Sequence, residues 1–433
     1  MLIASSTRLW QLIAGLISVA IITQFFSPDT QGIYYAFADL LALQTLFDLG
    51  LTGVLIALAS REWSSAHEST DSERRTLARQ RLGSLLRHGT KWFVFMAVGF
   101  AVSASAFGLW YLVSPVTDAM NWRLPWIVSV VLSALAMCMM PCIGVLEGKF
   151  VVEVNIFRLV QAILGNLVVW WVIVSGGELW AVAASAGVRL LCESVFVIGW
   201  FGRCLKSLMR EPLLPTGDAL DWRSKVLPLQ WRIAIQAIVG YAATRTYTLI
   251  VLDSSVAEAG QIGMTWSILI AVQASGLAWL QARLPHIGRE ISDGHFSQAR
   301  QLLFQTTVLA VATIMVGSLA LIGLQVALNQ VHPATAARLL PLGVIVIFSI
   351  SLAVHAVIII WSSYTRLYRI DPFVKPGIIG SVALAITAIT LGTKYGAIGI
   401  AIAHLGTMVL VNVPMYVPVF RRELAVVEQR QPN

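Results

Sequence analysis

Apolar runs close to the length of a membrane span recur from one end of this 433-residue chain to the other. A helix needs roughly 20 predominantly apolar residues to cross a bilayer. The composition, 57% hydrophobic and only 12% charged, is typical of a chain whose surface mostly faces lipid. We place spans at about residues 9 to 26, 36 to 58, 92 to 114, 124 to 146, 152 to 174, 179 to 201, 232 to 252, 262 to 282, 302 to 328, 339 to 361, 374 to 393 and 397 to 420. The sequence therefore predicts an all-α integral membrane protein with about 12 transmembrane helices.

The Lys and Arg residues predict how these spans are oriented. All but six of the 30 fall on the side of the membrane that carries both termini. The positive-inside rule then places the N- and C-termini in the cytoplasm. The net charge of +8 follows from these cytoplasmic residues and requires no nucleic-acid partner.

The long cytoplasmic loop at about residues 60 to 91 predicts a helix on the membrane surface. Its leucines can share one helix face, while several arginines supply the polar side. These leucines are Leu77, Leu82, Leu85 and Leu86. We expect the arginines to touch anionic membrane lipids.

A second long cytoplasmic connection, at about residues 202 to 231, divides the spans into two sets of six. We therefore predict an N-terminal six-helix lobe over residues 1–210 and a cytoplasmic linker at 211–231. The C-terminal six-helix lobe, with a short cytoplasmic tail, is predicted at 232–433.

An internal repeat supports this division. Residues 27 to 32 are similar to residues 255 to 260, and the pair Arg61-Glu62 recurs as Arg289-Glu290. Both matches have the same offset of 228 residues. A shared offset indicates duplication, and each predicted half starts on the same side of the membrane, so the repeats are parallel.

Three stretches carry a resemblance to a known family: residues 26 to 51, 57 to 63 and 228 to 235. They resemble the bacterial O-antigen and exopolysaccharide flippases, the PST/Wzx-like members of the MOP (multidrug/oligosaccharidyl-lipid/polysaccharide) exporter superfamily. The resemblance implies two six-helix, MATE-like lobes in the bacterial cytoplasmic membrane. It also implies flipping of undecaprenyl-diphosphate-linked glycan by alternating access for lipopolysaccharide or exopolysaccharide biosynthesis. Relatives suggest coupling to a proton or sodium gradient, no cofactor, and other polysaccharide-assembly proteins as partners.

Arginines inside the predicted spans are the candidates for the substrate path. A diphosphate and a hydroxyl-rich glycan need cationic and hydrogen-bonding groups because they cannot enter hydrocarbon unaided. The candidates are Arg158, Arg189 and Arg245, each in a different predicted span, and Arg189 lies the deepest of the three. Charged side chains at such depth usually face the protein interior or water. Gln161 and Asn166 add polar groups to the span that contains Arg158.

Each of these residues also has a structural interpretation. Arg189 is one helical turn from Glu193, so an ion pair that only holds helices together is the alternative. Arg158 and Arg245 can instead snorkel to an interface. The amides of Gln44, Gln236 and Gln273, like that of Asn166, can contact sugars or can join helices.

Titratable groups inside the predicted spans are candidates for ion coupling or counter-charge. They are Asp48, Glu193, Asp39, His355 and His404. Asp39 and Asp48 are nine residues apart, so a straight helix places them on opposite faces and they cannot both line one cavity. The two histidines can titrate near neutral pH, although a lone membrane histidine more often makes a packing hydrogen bond.

The sequence contains no enzymatic motif such as a phosphate-binding glycine loop or a His-Glu-x-x-His metal motif. A membrane glycan polymerase or ligase is an alternative from another class, but such enzymes have a large outer loop, whereas the long loops here are predicted inside. A MATE-like small-molecule antiporter is the second alternative. A lipid II flippase is the third, although that group typically has two additional spans.

Overall fold

The computed structural model describes residues 2–48, 50–68, 71–113, 120–212, 238, 240–241, 244–368 and 372–429. These residues are almost entirely helical and include no strand. Helices suit such apolar sequences because they satisfy every backbone hydrogen bond within the segment, which lipid cannot do. The prediction of an all-α membrane protein is confirmed.

The chain forms two compact units, Met1–Tyr241 and Ala242–Asn433. They are called the N-terminal unit and the C-terminal unit below. Almost all of the predicted linker at 211–231 lies outside the described residues. The predicted lobe boundaries therefore stay a prediction.

The described helices of the N-terminal unit overlap all six predicted spans. They are α1 (Leu2–Phe25), α2 (Pro28–Leu41), α3 (Gln44–Asp48), α4 (Leu51–Glu68), α5 (Ser72–Tyr111), α6 (Arg123–Met137), α7 (Met140–Glu147), α8 (Val151–Val174), α9 (Trp180–Ser194) and α10 (Gly202–Arg210). A π-helical segment, Val195–Trp200, joins α9 to α10. Helix α9 packs against α6 and α8, and α8 packs against α1. This arrangement brings the side chains of α8 and α9 into contact.

The C-terminal unit is built from fewer but longer helices. Its described helices are α11 (Tyr247–Leu252), α12 (Val256–Ser292), α13 (Phe296–Val331), α14 (Pro333–Ala336), α15 (Leu342–Leu367), α16 (Val374–Thr407) and α17 (Val413–Gln429). A second π-helical segment, Met408–Asn412, joins α16 to α17. Helices α11, α12, α15 and α16 enclose a core that includes Trp266, Phe348 and Ile400.

Eight helical stretches in the described residues are long and apolar enough to cross a membrane. They are Ser72–Tyr111, Arg123–Glu147, Val151–Val174, Trp180–Trp200, Val256–Ser292, Phe296–Val331, Leu342–Leu367 and Val374–Arg422. A ninth span results if the bent pair Pro28–Asp48 and Leu51–His67 is counted as one. The chain is thus a multi-pass membrane protein.

The remaining predicted spans map onto particular places in the fold. The last two fall on the single stretch Val374–Arg422, where Gly396, with φ of 63°, interrupts the helix between them. The first predicted span falls on α1. The seventh, at 232 to 252, lies partly outside the described residues and is not continuous in its described part.

The second predicted span, at residues 36 to 58, is not a straight helix. Helix α2 ends at Leu41, and the chain then tightens, with Thr45 N–H donating to the Ala42 carbonyl at 3.0 Å. A second break follows at Gly50, whose φ is 70°. The two halves meet at 47°. Asp39 and Asp48 therefore do not share the straight axis from which opposite faces were predicted.

The stretch at residues 60 to 91, predicted as a surface helix, does not form a helix of its own. Helix α5 runs without a break from Ser72 to Tyr111, so residues 72 to 91 are its first half, while residues 60 to 68 belong to α4. Leu82, Leu85 and Leu86 are buried by protein rather than exposed to lipid. Beside them Gly83 lets α10 approach so closely that an added Cβ would collide with the Leu208 carbonyl.

Two arginines of this stretch contact the end of α10, and their predicted contact with anionic lipid stays a prediction. Arg79 pairs with Glu211 at 2.8 Å. Arg87 donates to the carbonyl oxygens of Met209 and Glu211 at 2.9 and 2.8 Å. These carbonyls lie at the C-terminus of a helix, where cations are favoured.

The repeated sequence motifs occupy equivalent positions in the two units. Ser27 caps α2 by accepting from the Thr30 N–H, and Ser255 caps α12 by accepting from the Glu258 N–H. The two π-helical segments each lie within the sixth predicted span of their half. Serine oxygens at such positions satisfy an otherwise unpaired N–H of the first helical turn.

Candidate functional site

A polar cluster lies inside the N-terminal unit where α3, α8 and α9 meet. It consists of Gln44, Gln161, Arg189 and Glu193, and we call it the N-terminal polar cluster. Arg189 Nε donates to Glu193 Oε1 at 2.9 Å, and Arg189 Nη1 donates to Gln44 Oε1 at 2.9 Å. Gln161 Nε2 reaches the same Glu193 oxygen at a longer 3.5 Å. Four polar side chains from three helices are thereby joined.

The two charged members of this cluster differ in exposure. The side chain of Glu193 is 6% exposed, while that of Arg189 is 28% exposed. Glu193 Oε2 is buried and accepts no hydrogen bond within the described residues. A buried carboxylate needs a partner because its charge loses the solvation of water. Arg189 supplies that partner, and its side chain is still partly exposed.

Gln44 reaches Arg189 because the second span is interrupted. The tight turn after Leu41 starts α3 at Gln44. The pattern of the sequence singled out Gln44 as a polar residue in a span but gave no signal for this turn. The i, i+4 spacing of Arg189 and Glu193, in contrast, was sufficient to predict their contact.

Arg158 does not join the N-terminal polar cluster. It forms a two-bonded ion pair with Glu147 at the end of α7, with distances of 2.9 and 2.6 Å. The Arg158 side chain is 44% exposed. Glu147 was not predicted as a partner, because the turn between α7 and α8 and not a helical spacing brings it close. Asn166, also on α8, is half-buried and is not brought into the cluster.

Asp48 and Asp39 have local roles in the described structure. Asp48 Oδ1 accepts from the Thr52 N–H at 3.1 Å and from the Thr52 hydroxyl at 2.7 Å, across the break before α4. An aspartate in this position stabilises the first turn of the following helix. The Asp39 carbonyl accepts from the Tyr241 hydroxyl at 2.6 Å.

Arg245 is exposed at a bend directly before α11. The predicted span therefore breaks close to this residue, and Arg245 does not sit inside a continuous helix. Gln236, which was predicted in the same span, lies outside the described residues.

A second buried polar group lies in the C-terminal unit. The rings of His355 on α15 and His404 on α16 have centroids 6.3 Å apart. We call these two residues the histidine pair. Gln273 of α12 lies 3.5 Å from His355 Nδ1 and donates to the Leu352 carbonyl at 3.1 Å. His404 is fully buried. Gln273 therefore joins two helices, which is the structural one of the two interpretations given for the membrane amides.

An open cavity of about 700 Å³ lies at the start of α6 and α9. It is lined by residues 120 to 125 and by Trp180. Arg189 lies nine residues further along α9, which is roughly 13 Å by helix rise. The cavity is therefore distinct from the N-terminal polar cluster.

Comparison with known proteins adds to this geometry. No family model matches the sequence, and no curated protein matches it. Among solved structures, an inward-facing multidrug resistance MATE family transporter of the MOP superfamily matches with a TM-score of 0.65 and 10% identity, covering 100% of this chain and 99% of that chain. The lipid II flippase MurJ, in an inward closed conformation, matches with a TM-score of 0.60 and 12% identity, covering 99% and 90%. The eukaryotic MATE transporter AtDTX14 matches with a TM-score of 0.62 and 12% identity, covering 99% and 96%. The chain has the fold of MOP transporters.

The MOP fold agrees with the resemblance at the level of architecture. The prediction of a MATE-like helical membrane protein is confirmed, because the matched transporters align over nearly the whole chain. At 10 to 12% identity this likeness concerns the fold and not the substrate.

Proposed function

We propose that this chain is a flippase for polyprenyl-diphosphate-linked oligosaccharides in surface polysaccharide biosynthesis. It would work by alternating access in the bacterial cytoplasmic membrane. The observation that carries the proposal is the partly exposed side chain of Arg189 within a membrane span, with its guanidinium held by two other side chains.

The chemistry of the cargo explains why such a group is needed. A diphosphate presents several anionic oxygens, and an arginine has five N–H donors arranged to bind such oxygens in pairs. Arg189 uses Nε and Nη1 for its partners in the N-terminal polar cluster. Donors on its remaining edge are suited to an anionic headgroup. The amides of Gln44 and Gln161 are suited to the hydroxyl groups of a sugar.

The likeness to known structures supports transport rather than catalysis. One matched structure is named as a lipid II flippase, and others are named as multidrug transporters. The resemblance of residues 26 to 51 to polysaccharide flippases favours a lipid-linked glycan over lipid II.

A MATE-like small-molecule antiporter is the second candidate. The observation in its favour is Glu193, a buried carboxylate with one oxygen that accepts no hydrogen bond within the described residues. Arg189 already offsets that charge at 2.9 Å, which makes the N-terminal polar cluster less suited to an organic cation. Efflux of a cationic dye that depends on the chain would favour this candidate.

The test is the leaflet distribution of the lipid-linked glycan in a strain that lacks this chain and any redundant flippase. Membrane vesicles of known orientation are treated with a membrane-impermeant probe for the glycan. We expect the glycan to accumulate on the cytoplasmic side and to return to the outer leaflet when the wild-type chain is restored. Normal delivery to the outer leaflet without the chain would refute the proposal.

A further inference from the structure

The histidine pair in the C-terminal unit is not used by the proposed flipping of an anionic lipid. His404, on α16, is a polar residue with no exposed surface, and it lies within an apolar core. Its ring lies 6.3 Å from that of His355 on α15. A fully buried imidazole beside a half-buried one is an unusual feature of a membrane core and calls for a chemical explanation.

Aromatic rings surround His404. The ring centroids of Trp266, Tyr247 and Phe348 lie 5.5, 6.0 and 6.1 Å from its own. These rings come from α12, α11 and α15, so three helices contribute to the surrounding wall. A cation within about 6 Å of an aromatic centroid is attracted by the ring's electron-rich face. The wall is therefore suited to a positively charged imidazole.

The hydrogen-bonding groups in this core are incomplete. Both ring nitrogens of His404 are buried and have no hydrogen-bond partner within the described residues. The Tyr247 hydroxyl is also buried and has no hydrogen-bond partner within the described residues. Because proteins rarely leave such groups unpaired, these atoms point to a small polar ligand such as water or a proton.

No counter-charge for the pair lies on the helices that pack around it. From Ile262 to Leu280, α12 has no charged residue, and the same holds for residues 342 to 361 of α15 and 397 to 407 of α16. The titratable group that α11 contributes is Tyr247. Glu258 lies at the start of α12 and accepts from the Ala397 N–H at 2.7 Å. In this core a charge on the fully buried His404 is therefore unfavourable, because an unpaired buried charge is costly.

We propose that the histidine pair is a proton-binding site of the C-terminal unit. A proton arrives when water reaches His404, and its two nitrogens then both act as donors to water. The aromatic wall stabilises the resulting imidazolium. The pair takes up one proton rather than two because two imidazolium rings at this separation repel each other.

This site links pH to the conformation of the C-terminal unit. The closed core excludes the charged form, so protons bind preferentially to a conformation in which the core is hydrated. Lower pH then shifts the population towards the hydrated conformation, since a ligand favours the state that binds it better. A proton gradient would drive the C-terminal unit between the two.

The experiment follows the seven histidines of the full-length protein in lipid nanodiscs by selective ¹³C-histidine NMR. His355→Gln and His404→Gln identify the two signals, and His332→Gln, which alters an exposed histidine of the same unit, is the matched control. Between about pH 8 and pH 5, the range in which histidine titrates, we expect the pair to gain one proton. Fluorescence of Trp266, isolated by comparison with Trp266→Phe, should be quenched in the same range.

Two results would overturn the proposal. The first is that the signals of His355 and His404 do not move while those of exposed histidines titrate. The second is that His404→Gln retains the full quenching of Trp266. The His332→Gln protein should behave like the wild type in both measurements.

Transport gives an independent readout. In vesicles with an imposed pH gradient, the gradient should speed up flipping of the lipid-linked glycan by the wild type. The His404→Gln protein should lose this acceleration but keep the flipping rate that is measured without a gradient. Loss of both fluxes would indicate a structural role and contradict the proposal. Because the NMR and fluorescence signals require no glycan, this site can fail or succeed independently of the proposed substrate.

Discussion

At the scale of single residues, the N-terminal polar cluster shows what a local pattern can and cannot predict. The contact between Arg189 and Glu193 follows from their positions one turn apart on a single helix. The contacts to Gln44 and Gln161 depend on how three helices meet, for which the sequence has no local signal. For the same reason the pairing of Arg158 with Glu147 escaped prediction.

The two ion pairs predict different sensitivities to loss of their arginine. Arg189→Ala leaves the nearly buried Glu193 without its partner, so we expect a loss of about 2 kcal/mol of unfolding free energy. Arg158→Ala should cost less than about 1 kcal/mol because that pair is more exposed. Unfolding of the purified variants in mixed micelles measures both.

A double variant separates the charge from the packing. Arg189→Ala combined with Glu193→Ala should recover part of the stability that Arg189→Ala loses, since no unpaired carboxylate remains. A double variant as unstable as the sum of the single variants would show that the two side chains do not interact energetically.

At the scale of helices, the long spans were predictable and their interruptions were not. Residues 152 to 174 were predicted as a span, and α8 runs from Val151 to Val174. The leucines before residue 92 were misread because a helix face that packs on protein has the same periodicity as one that lies on lipid. The turn after Leu41 and the π-helical segments depend on packing that no single-sequence pattern reveals.

The break before α4 gives a test with a matched control on the same segment. Gly50 has φ of 70°, a conformation that costs a residue with a Cβ about 1 kcal/mol or more. Gly50→Ala should therefore destabilise the protein by that amount. Gly53→Ala, three residues later in α4 and with no atom near the added Cβ, should be neutral or slightly stabilising. Equal effects at the two positions would contradict the bent geometry.

The contact between α5 and α10 gives a second test at this scale. Gly83→Ala places a Cβ against the Leu208 carbonyl and should cost about 1 to 3 kcal/mol. Gly165→Ala, in α8 with open space around it, is the control and should be tolerated. If Gly83→Ala were as stable as the wild type, α10 would not pack here as closely as described.

At the scale of the whole molecule, the chain combines two units with related helix starts and different polar centres. The N-terminal unit has an arginine–glutamate cluster, whereas the C-terminal unit has the histidine pair. The class of fold was predictable from the recurrence of apolar runs. Agreement with MOP transporters required the structure, because identity to the matched chains is only 10 to 12%. That the substrate is a lipid-linked glycan stays a proposal, and it depends on the N-terminal polar cluster.

The most direct test of that proposal is the flipping rate of a polyprenyl-diphosphate-linked oligosaccharide in proteoliposomes made with Arg189 variants. Arg189→Ala should lower the rate about 10-fold or more, because a charge-assisted hydrogen bond to the diphosphate is lost. Arg189→Lys should keep part of the rate, and Arg74→Ala, at a side chain that is 79% exposed, should keep all of it. A folded Arg189→Ala protein that flips the glycan at the wild-type rate would contradict the account.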